Sequence, residues 1–225
     1  MSTLNGGPGI VTDGLVLYID AANSYSYVSG STAWNDLSRG NTTGTLINSP
    51  TFTGSFGGAI FTENASSYIN TNYTLPTNNF TVSVVYRCTS FGAWSGIWAS
   101  EVWNNGTGFV TFFETETSVR FVRGGLMAGV LVDASSSLLN HLTFTLTSQS
   151  TGSIYVNGSL RGTAALPTAS AVEKPILLST RYNNNGVGIT DRRPAIIPLF
   201  QVYNRVLTPD EILQNYNAQK SRFGL

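Results

Sequence analysis

The stretch Ser153-Ile154-Tyr155-Val156-Asn157-Gly158-Ser159-Leu160-Arg161 carries the strongest fold signal in this sequence of 225 residues. Two strand-like runs flank an Asn-Gly pair. Asn and Gly are the residues that most readily adopt the positive φ angles of a two-residue type I′ turn. The stretch therefore predicts a β-hairpin.

Strand-like runs separated by turn residues extend in both directions from this hairpin. The clearest is 80–87, in which Phe80, Val82, Val84 and Tyr86 alternate with Thr81, Ser83, Val85 and Arg87. This period of two predicts a strand with one core face and one mostly solvated face. Further strands are predicted at 14–19, 58–61, 67–69, 96–100, 108–113, 118–122, 141–147, 176–180 and 197–203. The turn-rich excursion 21–51 is expected to carry some structure of its own.

A single helix is predicted near the end of the chain. Thr208-Pro209-Asp210-Glu211 supplies an N-cap, a proline at the first helical position and a capping-box glutamate. Ile212, Leu213 and Tyr216 form its predicted apolar face. Many short strands with one terminal helix predict an all-β fold, a two-sheet antiparallel jelly-roll sandwich with one short C-terminal helix. Residues 1–12 are predicted to be an N-terminal arm and residues 13–225 the sandwich domain.

Composition excludes several function classes. The chain has 12 basic and 12 acidic residues, so no electrostatic attraction to nucleic acid or to a membrane surface is expected. The first residues lack the features of a signal peptide, and no run is long and apolar enough to cross a bilayer. One cysteine and one histidine argue against disulfide frameworks and Cys/His zinc sites, and we expect no cofactor.

Two sets of residues are of types that catalysis could use. Glu114 and Glu116 lie on the same side of an extended segment, as a glycosidase pair would, but a hairpin turn with two exposed acids explains them more simply. His141 begins an alternating strand and no nucleophile motif precedes it, which favours a structural or exposed histidine. The chain is therefore predicted not to be an enzyme.

Two loops have the composition of a glycan-binding surface. The segment 91–108 contains Trp94, Trp98 and Trp103 together with Asn104 and Asn105. Tryptophan rings stack on the apolar side of a pyranose, and amides bond its hydroxyls. Trp98 lies within a predicted strand and is assigned to the core, whereas Trp94, Trp103, Asn104 and Asn105 are glycan-binding candidates. A second candidate loop contains Tyr182, Asn183 and Asn184.

Several motifs lie outside the strand pattern or extend it: Asp13-Gly14-Leu15-Val16-Leu17-Tyr18-Ile19-Asp20-Ala21-Ala22-Asn23, Trp34-Asn35-Asp36-Leu37-Ser38, Gly58-Ala59-Ile60-Phe61, and Tyr203-Asn204-Arg205-Val206-Leu207-Thr208-Pro209-Asp210-Glu211-Ile212. Together with the hairpin, these motifs resemble the concanavalin A-like lectin/glucanase superfamily, in its laminin-G-like branch. The chain departs from the family at 62–67, where an Asp-rich turn is common. The resemblance therefore does not carry a calcium site over to this chain, and any metal remains unknown.

The resemblance also extends to virion structural proteins of tailed bacteriophages, through the closing helix and the residues after it. It implies a non-enzymatic virion protein, either a capsid decoration or head-fibre protein or a tail-fibre component. The implied partners are the major capsid or tail protein, further copies of the chain, and a host-surface glycan. The alternatives are a free-standing carbohydrate-binding module and, less favoured, a glycan hydrolase.

Overall fold

The computed structural model of the protein describes residues 9–63, 66–100, 108–123, 129–168, 174–182 and 189–225. The helix in these ranges is α1 (Pro209–Phe223). The strands are β1 (Leu15–Asp20), β2 (Ala33–Asn35), β3 (Thr43–Ile47), β4 (Thr51–Thr53), β5 (Ala59–Thr62), β6 (Tyr68–Thr74), β7 (Phe80–Cys88), β8 (Ser95–Ala99), β9 (Phe109–Thr115), β10 (Ser118–Arg123), β11 (Gly129–Asp133), β12 (Asn140–Leu146), β13 (Thr151–Val156), β14 (Ser159–Ala165), β15 (Pro175–Leu178), β16 (Arg181–Tyr182), β17 (Ile189–Thr190) and β18 (Ala195–Tyr203).

The strands form two antiparallel sheets of eight strands each. The first sheet has the order β14-β13-β12-β7-β18-β5-β4, with β1 also paired to β18. The second has the order β11-β10-β9-β8-β15-β6-β3-β2, and β16 pairs with β17 separately. The predicted all-β jelly-roll sandwich with one C-terminal helix is confirmed.

Aromatic side chains from both sheets meet in the core. The ring of Phe121 on β10 lies 5.9 Å from Trp98, 6.0 Å from Phe109 and 5.6 Å from Phe144 of the opposite sheet. All four side chains are fully buried. The prediction that Trp98 belongs to the core is confirmed.

The excursion 21–51 contains two short strands, β2 and β3, and is anchored by the buried Trp34 and Leu46. The expectation that it carries its own structure is confirmed. Four other strands, β4, β11, β16 and β17, were not predicted. β4 and β11 lie at sheet edges and β16 and β17 have two residues each, so few contacts reinforce a local pattern.

The β13–β14 hairpin has the predicted turn. Asn157 and Gly158 have φ angles of 51° and 77°, as a type I′ turn requires. The turn lies against α1, because a Cβ atom added at Gly158 would stand 2.9 Å from Cδ1 of Tyr216. Glycine is needed here both for the backbone conformation and for the close approach of the helix.

We expect Gly158→Ala to lower the free energy of unfolding more than Gly30→Ala does. Gly30 also has a positive φ, 88°, but no atom lies within 4 Å of an added Cβ, so its substitution costs only the backbone strain of about 1 kcal/mol. Gly158→Ala adds a clash that costs at least about 1 kcal/mol more. Urea unfolding of the two variants measures the difference, and equal losses would mean that α1 does not press on the turn.

The outer face of β7 differs from the prediction that it is mostly wet. Thr81, Ser83 and Val85 are all buried. The reason is α1, which packs on this face of the first sheet and places Phe223 in an apolar cluster with Val85 and Leu199. Alternation along a strand cannot reveal that a distant helix covers its polar side.

The buried face of α1 also differs in part from the prediction. Ile212 is buried as predicted, but Leu213 is 43% exposed. The other buried residues are Asn215, Gln219 and Phe223. The helix therefore meets the sheet through amides as well as apolar groups, in a register that the apolar residues alone did not indicate.

The predicted N-terminal capping box of α1 is confirmed, and the helix contacts the first described residues of the chain. Thr208 and Glu211 form the reciprocal capping box. Gln214 Nε2 donates to the Gly9 carbonyl at 2.7 Å, and the Val11 amide donates to Asn215 Oδ1 at 2.8 Å. Residues 1–8 lie outside the described residues, so the boundary between arm and domain at residue 12 stays a prediction.

Candidate functional site

Trp94 lies immediately before β8 and is 38% exposed. Its backbone is in the left-handed region, with φ of 66°, a conformation that is costly for a bulky residue and is found where surrounding structure enforces it. The indole packs on Phe112 of β9, with ring centroids 5.1 Å apart. A tryptophan is thus held at the surface on a rigid strand platform.

Phe112 belongs to a small apolar cluster on the outer face of the second sheet. We use the name Trp94 face for Trp94, this cluster and the neighbouring ion pair of Arg120 with Glu114. The other members of the cluster, Ala99, Val110 and Val122, are buried. They alternate along their strands with the core residues Phe109, Phe113 and Phe121 and so point away from the core.

An ion pair adjoins Phe112 on the same face. The strand register places Arg120 of β10 opposite Phe112, so both side chains point to the same side of the sheet. Arg120 Nε lies 2.7 Å from Glu114 Oε2, and both side chains keep part of their surface exposed. On the far side of Arg120, Leu131 of β11 is 48% exposed.

This arrangement has the chemical components of a sugar-binding surface. An exposed indole offers an apolar platform, while guanidinium donors and carboxylate acceptors can bond hydroxyl groups in fixed directions. Because Arg120 and Glu114 neutralise each other, the surface attracts neither cations nor anions strongly. Phe112, Arg120 and Leu131 were not among the predicted site residues, although the alternation in 118–122 already places Arg120 opposite the core face.

Five of the other predicted glycan-binding residues are not among the residues that the structure describes. They are Trp103, Asn104, Asn105, Asn183 and Asn184. Ser100 and Gly108, which flank the first three in sequence, lie beyond the opposite end of β8 from Trp94. These candidates stay predictions.

Tyr182 is half-buried in β16. Its hydroxyl donates to the Pro175 carbonyl at 3.0 Å, and Lys174 Nζ lies 5.1 Å from its ring. The polar end of this side chain therefore has an internal partner. Its assignment as a glycan contact also stays a prediction.

The two glutamates considered for catalysis have separate structural explanations. Glu114 is held by Arg120, and Glu116 is exposed in the two-residue turn between β9 and β10. The β9–β10 hairpin turn is confirmed, but Glu116 is the one acid in it, because Glu114 lies within β9 with its side chain 23% exposed. The pairing of Glu114 with Arg120 was not predicted from the sequence.

The histidine and the cysteine are both structural. His141 is buried on β12, and its Nε2 lies 3.0 Å from Gln219 Oε1 of α1. Burial lowers the pKa of His141 from 6.5 to about 4, so it is neutral at pH 7. Burial also raises the pKa of the Cys88 thiol, which disfavours the nucleophilic thiolate.

Among the described residues, no group of three metal-ligating side chains converges.

Comparison with protein families finds one match. The profile of a family described as the concanavalin A-like lectin/glucanases superfamily matches residues 61–213, more than half of the chain. No curated protein sequence matches the chain.

In the described residues, no helix is long and apolar enough to span a membrane.

Several solved structures share the fold. The receptor binding domain of botulinum neurotoxin C/D mosaic serotype aligns with a TM-score of 0.69 at 15% identity, over 93% of this chain and 52% of that one. The binding domain of Paraclostridial Mosquitocidal Protein 1 aligns with a TM-score of 0.63 at 16% identity, over 91% and 52%. A Trypanosoma rangeli sialidase aligns with a TM-score of 0.71 at 15% identity, over 96% and 35%. The chain spans only a third to a half of these proteins, and identities this low show the fold alone.

Proposed function

Because the chain belongs to the concanavalin A-like lectin/glucanases superfamily, we propose that it is a recognition domain that binds glycans without cleaving them. The proposed binding surface is the Trp94 face. The observation that carries the proposal is the position of Trp94, a large aromatic side chain held partly exposed on Phe112 beside the Arg120–Glu114 pair. A ring in this position stacks on a pyranose, and the ion pair orients the hydroxyl groups at its edge.

The low charge of the protein supports the same ligand class. Charged residues are 11% of the chain and the net charge is zero, so the surface is polar but mostly uncharged. Such surfaces suit wet contacts made through many hydrogen bonds, as glycan recognition requires. Two of the structural neighbours are described as receptor binding or binding domains, which agrees with recognition as the role of this fold.

Trp94→Ala should weaken glycan binding about tenfold or more, a loss of about 1.4 kcal/mol. The measurement is a glycan array followed by titration of the strongest ligand with both proteins. Trp94→Phe should keep most of the affinity because it retains an aromatic platform. The matched control is Leu160→Ala, which removes a 53% exposed side chain from β14 of the other sheet. Unchanged binding by Trp94→Ala would contradict the proposal.

The absence of catalysis is part of the proposal. What supports it is that Glu114 is neutralised by an arginine, that Glu116 lies in a turn, and that His141 is buried against an amide. Incubation of the protein with its array ligand should release no new reducing ends. Cleavage that is lost in Glu114→Gln or Glu116→Gln would instead establish a glycan hydrolase.

The setting that we propose is a bacteriophage virion, in which the chain decorates the head or forms part of a head fibre or tail fibre. Its partners would be the major capsid or tail protein and further copies of itself. A specific observation favours this setting over a free-standing module. The first described residues, Gly9 to Val11, are held by α1 on the outer face of the first sheet, whereas Trp94 lies on the outer face of the second sheet. Residues 9–11 and the Trp94 face therefore lie on opposite sides of the sandwich, so one side can dock while the other faces outward.

Cryo-electron microscopy of purified particles tests this setting. We expect ordered copies with α1 toward the particle and Trp94 toward solvent. Particles that lack the protein, or copies whose Trp94 face is covered by the capsid or tail, would contradict the virion proposal and leave the carbohydrate-binding module as the better account.

A further inference from the structure

A continuous groove runs along one edge of the sandwich. The two sheets end there in β4 and β2, and the segment 21–32 lies beside these edge strands. Three adjoining hollows of about 470, 140 and 340 Å³ follow the segment. The first and second share Ala22 and Ser24 in their walls, and the second and third share Tyr27, Ser29 and Phe52, so the hollows are contiguous.

This edge is open whereas the other edge of the sandwich is closed. At the closed edge Gly162 of β14 packs against Val130 and Val132 of β11, and a Cβ atom added there would stand 2.7 Å from Val132. At the open edge the segment 21–32 makes the contacts, because Tyr27 packs on Phe52 of β4 and the Leu46 amide donates to the Thr32 carbonyl at 2.8 Å. This chain segment therefore forms part of the groove wall.

Exposed aromatic side chains mark the groove. Tyr25 is 85% exposed in the wall of the first hollow. Phe52 is 37% exposed between the second and third, and its ring stacks on Tyr27 with centroids 5.8 Å apart and an angle of 29° between the planes. Rings presented in succession along a groove can receive successive rings of a chain ligand.

The remaining lining combines small apolar side chains with hydroxyl groups and has no net charge. Serine and threonine hydroxyls recur along it, at Ser24, Ser29 and Thr32. The two charged residues in the walls, Asp20 and Arg222, neutralise each other through two hydrogen bonds of 2.6 Å. Hydroxyls with aromatic rings and no free charge match an uncharged sugar chain better than a phosphate, a nucleic acid or a charged peptide.

We propose that this groove is a second glycan site, which takes an uncharged oligosaccharide with pyranose rings on Tyr25 and on Phe52, whose ring is supported from below by the buried Tyr27. The three contiguous hollows follow the segment 21–32 from Asp20 to Phe52, so the groove offers a path for several linked sugars rather than for one. The site is separate from the Trp94 face and does not require it. With both sites occupied, one domain would engage two positions on a glycan-coated surface and gain avidity.

The test is titration of the ¹⁵N-labelled full chain with maltohexaose, cellohexaose and chitohexaose, one at a time. At least one hexasaccharide should cause saturable shifts of the backbone amides of Tyr25, Ser29 and Phe52. Tyr25→Ala should weaken that binding about tenfold without unfolding the protein, since this side chain is mostly exposed. Phe52→Ala is the second variant, and Leu160→Ala is the control expected to bind normally.

The variant Trp94→Ala distinguishes binding in the groove from binding at the Trp94 face. Trp94→Ala should leave the shifts in the groove unchanged, whatever it does on the glycan array. The inference is overturned if none of the three sugars causes saturable shifts in the groove, or if Tyr25→Ala binds as tightly as the unmodified protein. Loss of groove binding in Trp94→Ala would also overturn it, because the two sites would then not be separate.

Discussion

Phe121→Ala should lower the free energy of unfolding by about 3–5 kcal/mol. Phe121 is fully buried and touches aromatic rings from both sheets, Trp98 and Phe109 on its own sheet and Phe144 on the other. Its removal leaves a cavity bounded by rigid strands, which cannot collapse to fill it. Because the whole domain is expected to be stable by only about 5–15 kcal/mol, the loss is a large fraction of the total.

Guanidinium unfolding followed by tryptophan fluorescence measures this loss. The control is Leu131→Ala on the neighbouring strand β11, where the side chain is 48% exposed and the change should stay within about 0.5 kcal/mol. A loss of less than about 1 kcal/mol for Phe121→Ala would mean that the two sheets are not joined by this aromatic cluster.

The second large effect is a loss of stability as the pH falls from 6.5 to 4. Burial lowers the pKa of His141 in the folded protein to about 4, whereas the unfolded chain binds a proton near the ordinary value of 6.5. Between these values the unfolded state holds more protons. The stability contributed by the neutral histidine is therefore complete above pH 6.5 and is lost as the pH falls toward 4. The gap between the two pKa values corresponds to roughly 3 kcal/mol.

His141→Gln should unfold with a much smaller dependence on pH across this interval. Thermal unfolding of both proteins at half-unit steps from pH 7 to pH 4 gives the comparison. Glu211 does not affect the comparison above pH 4.5. Its pairing with Arg205 lowers its pKa from 4.5 to about 2, so the stability that Glu211 contributes is lost only as the pH falls below 4.5. If the two proteins show the same slope between pH 6.5 and 4.5, His141 is not the group responsible.

Local signals were sufficient for those parts of the fold in which neighbouring residues make the decisive contacts. The Asn157-Gly158 turn adopts the predicted positive φ angles because no other residue pair fits that conformation as well. The Thr208 cap and its partner Glu211 lie three residues apart, so sequence alone brings them together. The core position of Trp98 followed from its place in a strand.

The errors lie where distant segments meet. The outer face of β7 was predicted to be mostly solvated, but α1 begins more than a hundred residues later and covers it. Both the sheet and the helix bring polar groups to this contact: Ser83 hydrogen-bonds Thr143 within the sheet, and Gln219 of α1 hydrogen-bonds His141. The apolar patterns of the strand and of the helix therefore did not indicate the contact. Alternation and helical periodicity report apolar faces, and this interface is only partly apolar.

Only part of the candidate site could be predicted from the sequence. Trp94 was identified from its residue type and its neighbours, but nothing in the sequence paired it with Phe112 or placed Arg120 beside them. Those contacts depend on the register of β8, β9 and β10, which includes irregularities at Gly96 and at Ser118. Each such bulge changes which residues are opposite one another, and turn residues alone do not locate it.

The most direct test of glycan recognition at the Trp94 face is the structure of the protein in complex with the ligand found on the array. We predict a pyranose ring over the indole of Trp94, with its hydroxyl groups bonded to Arg120 and Glu114. A ligand bound only in the groove at Tyr25 and Phe52, or at any place that leaves Trp94 untouched, would contradict the account.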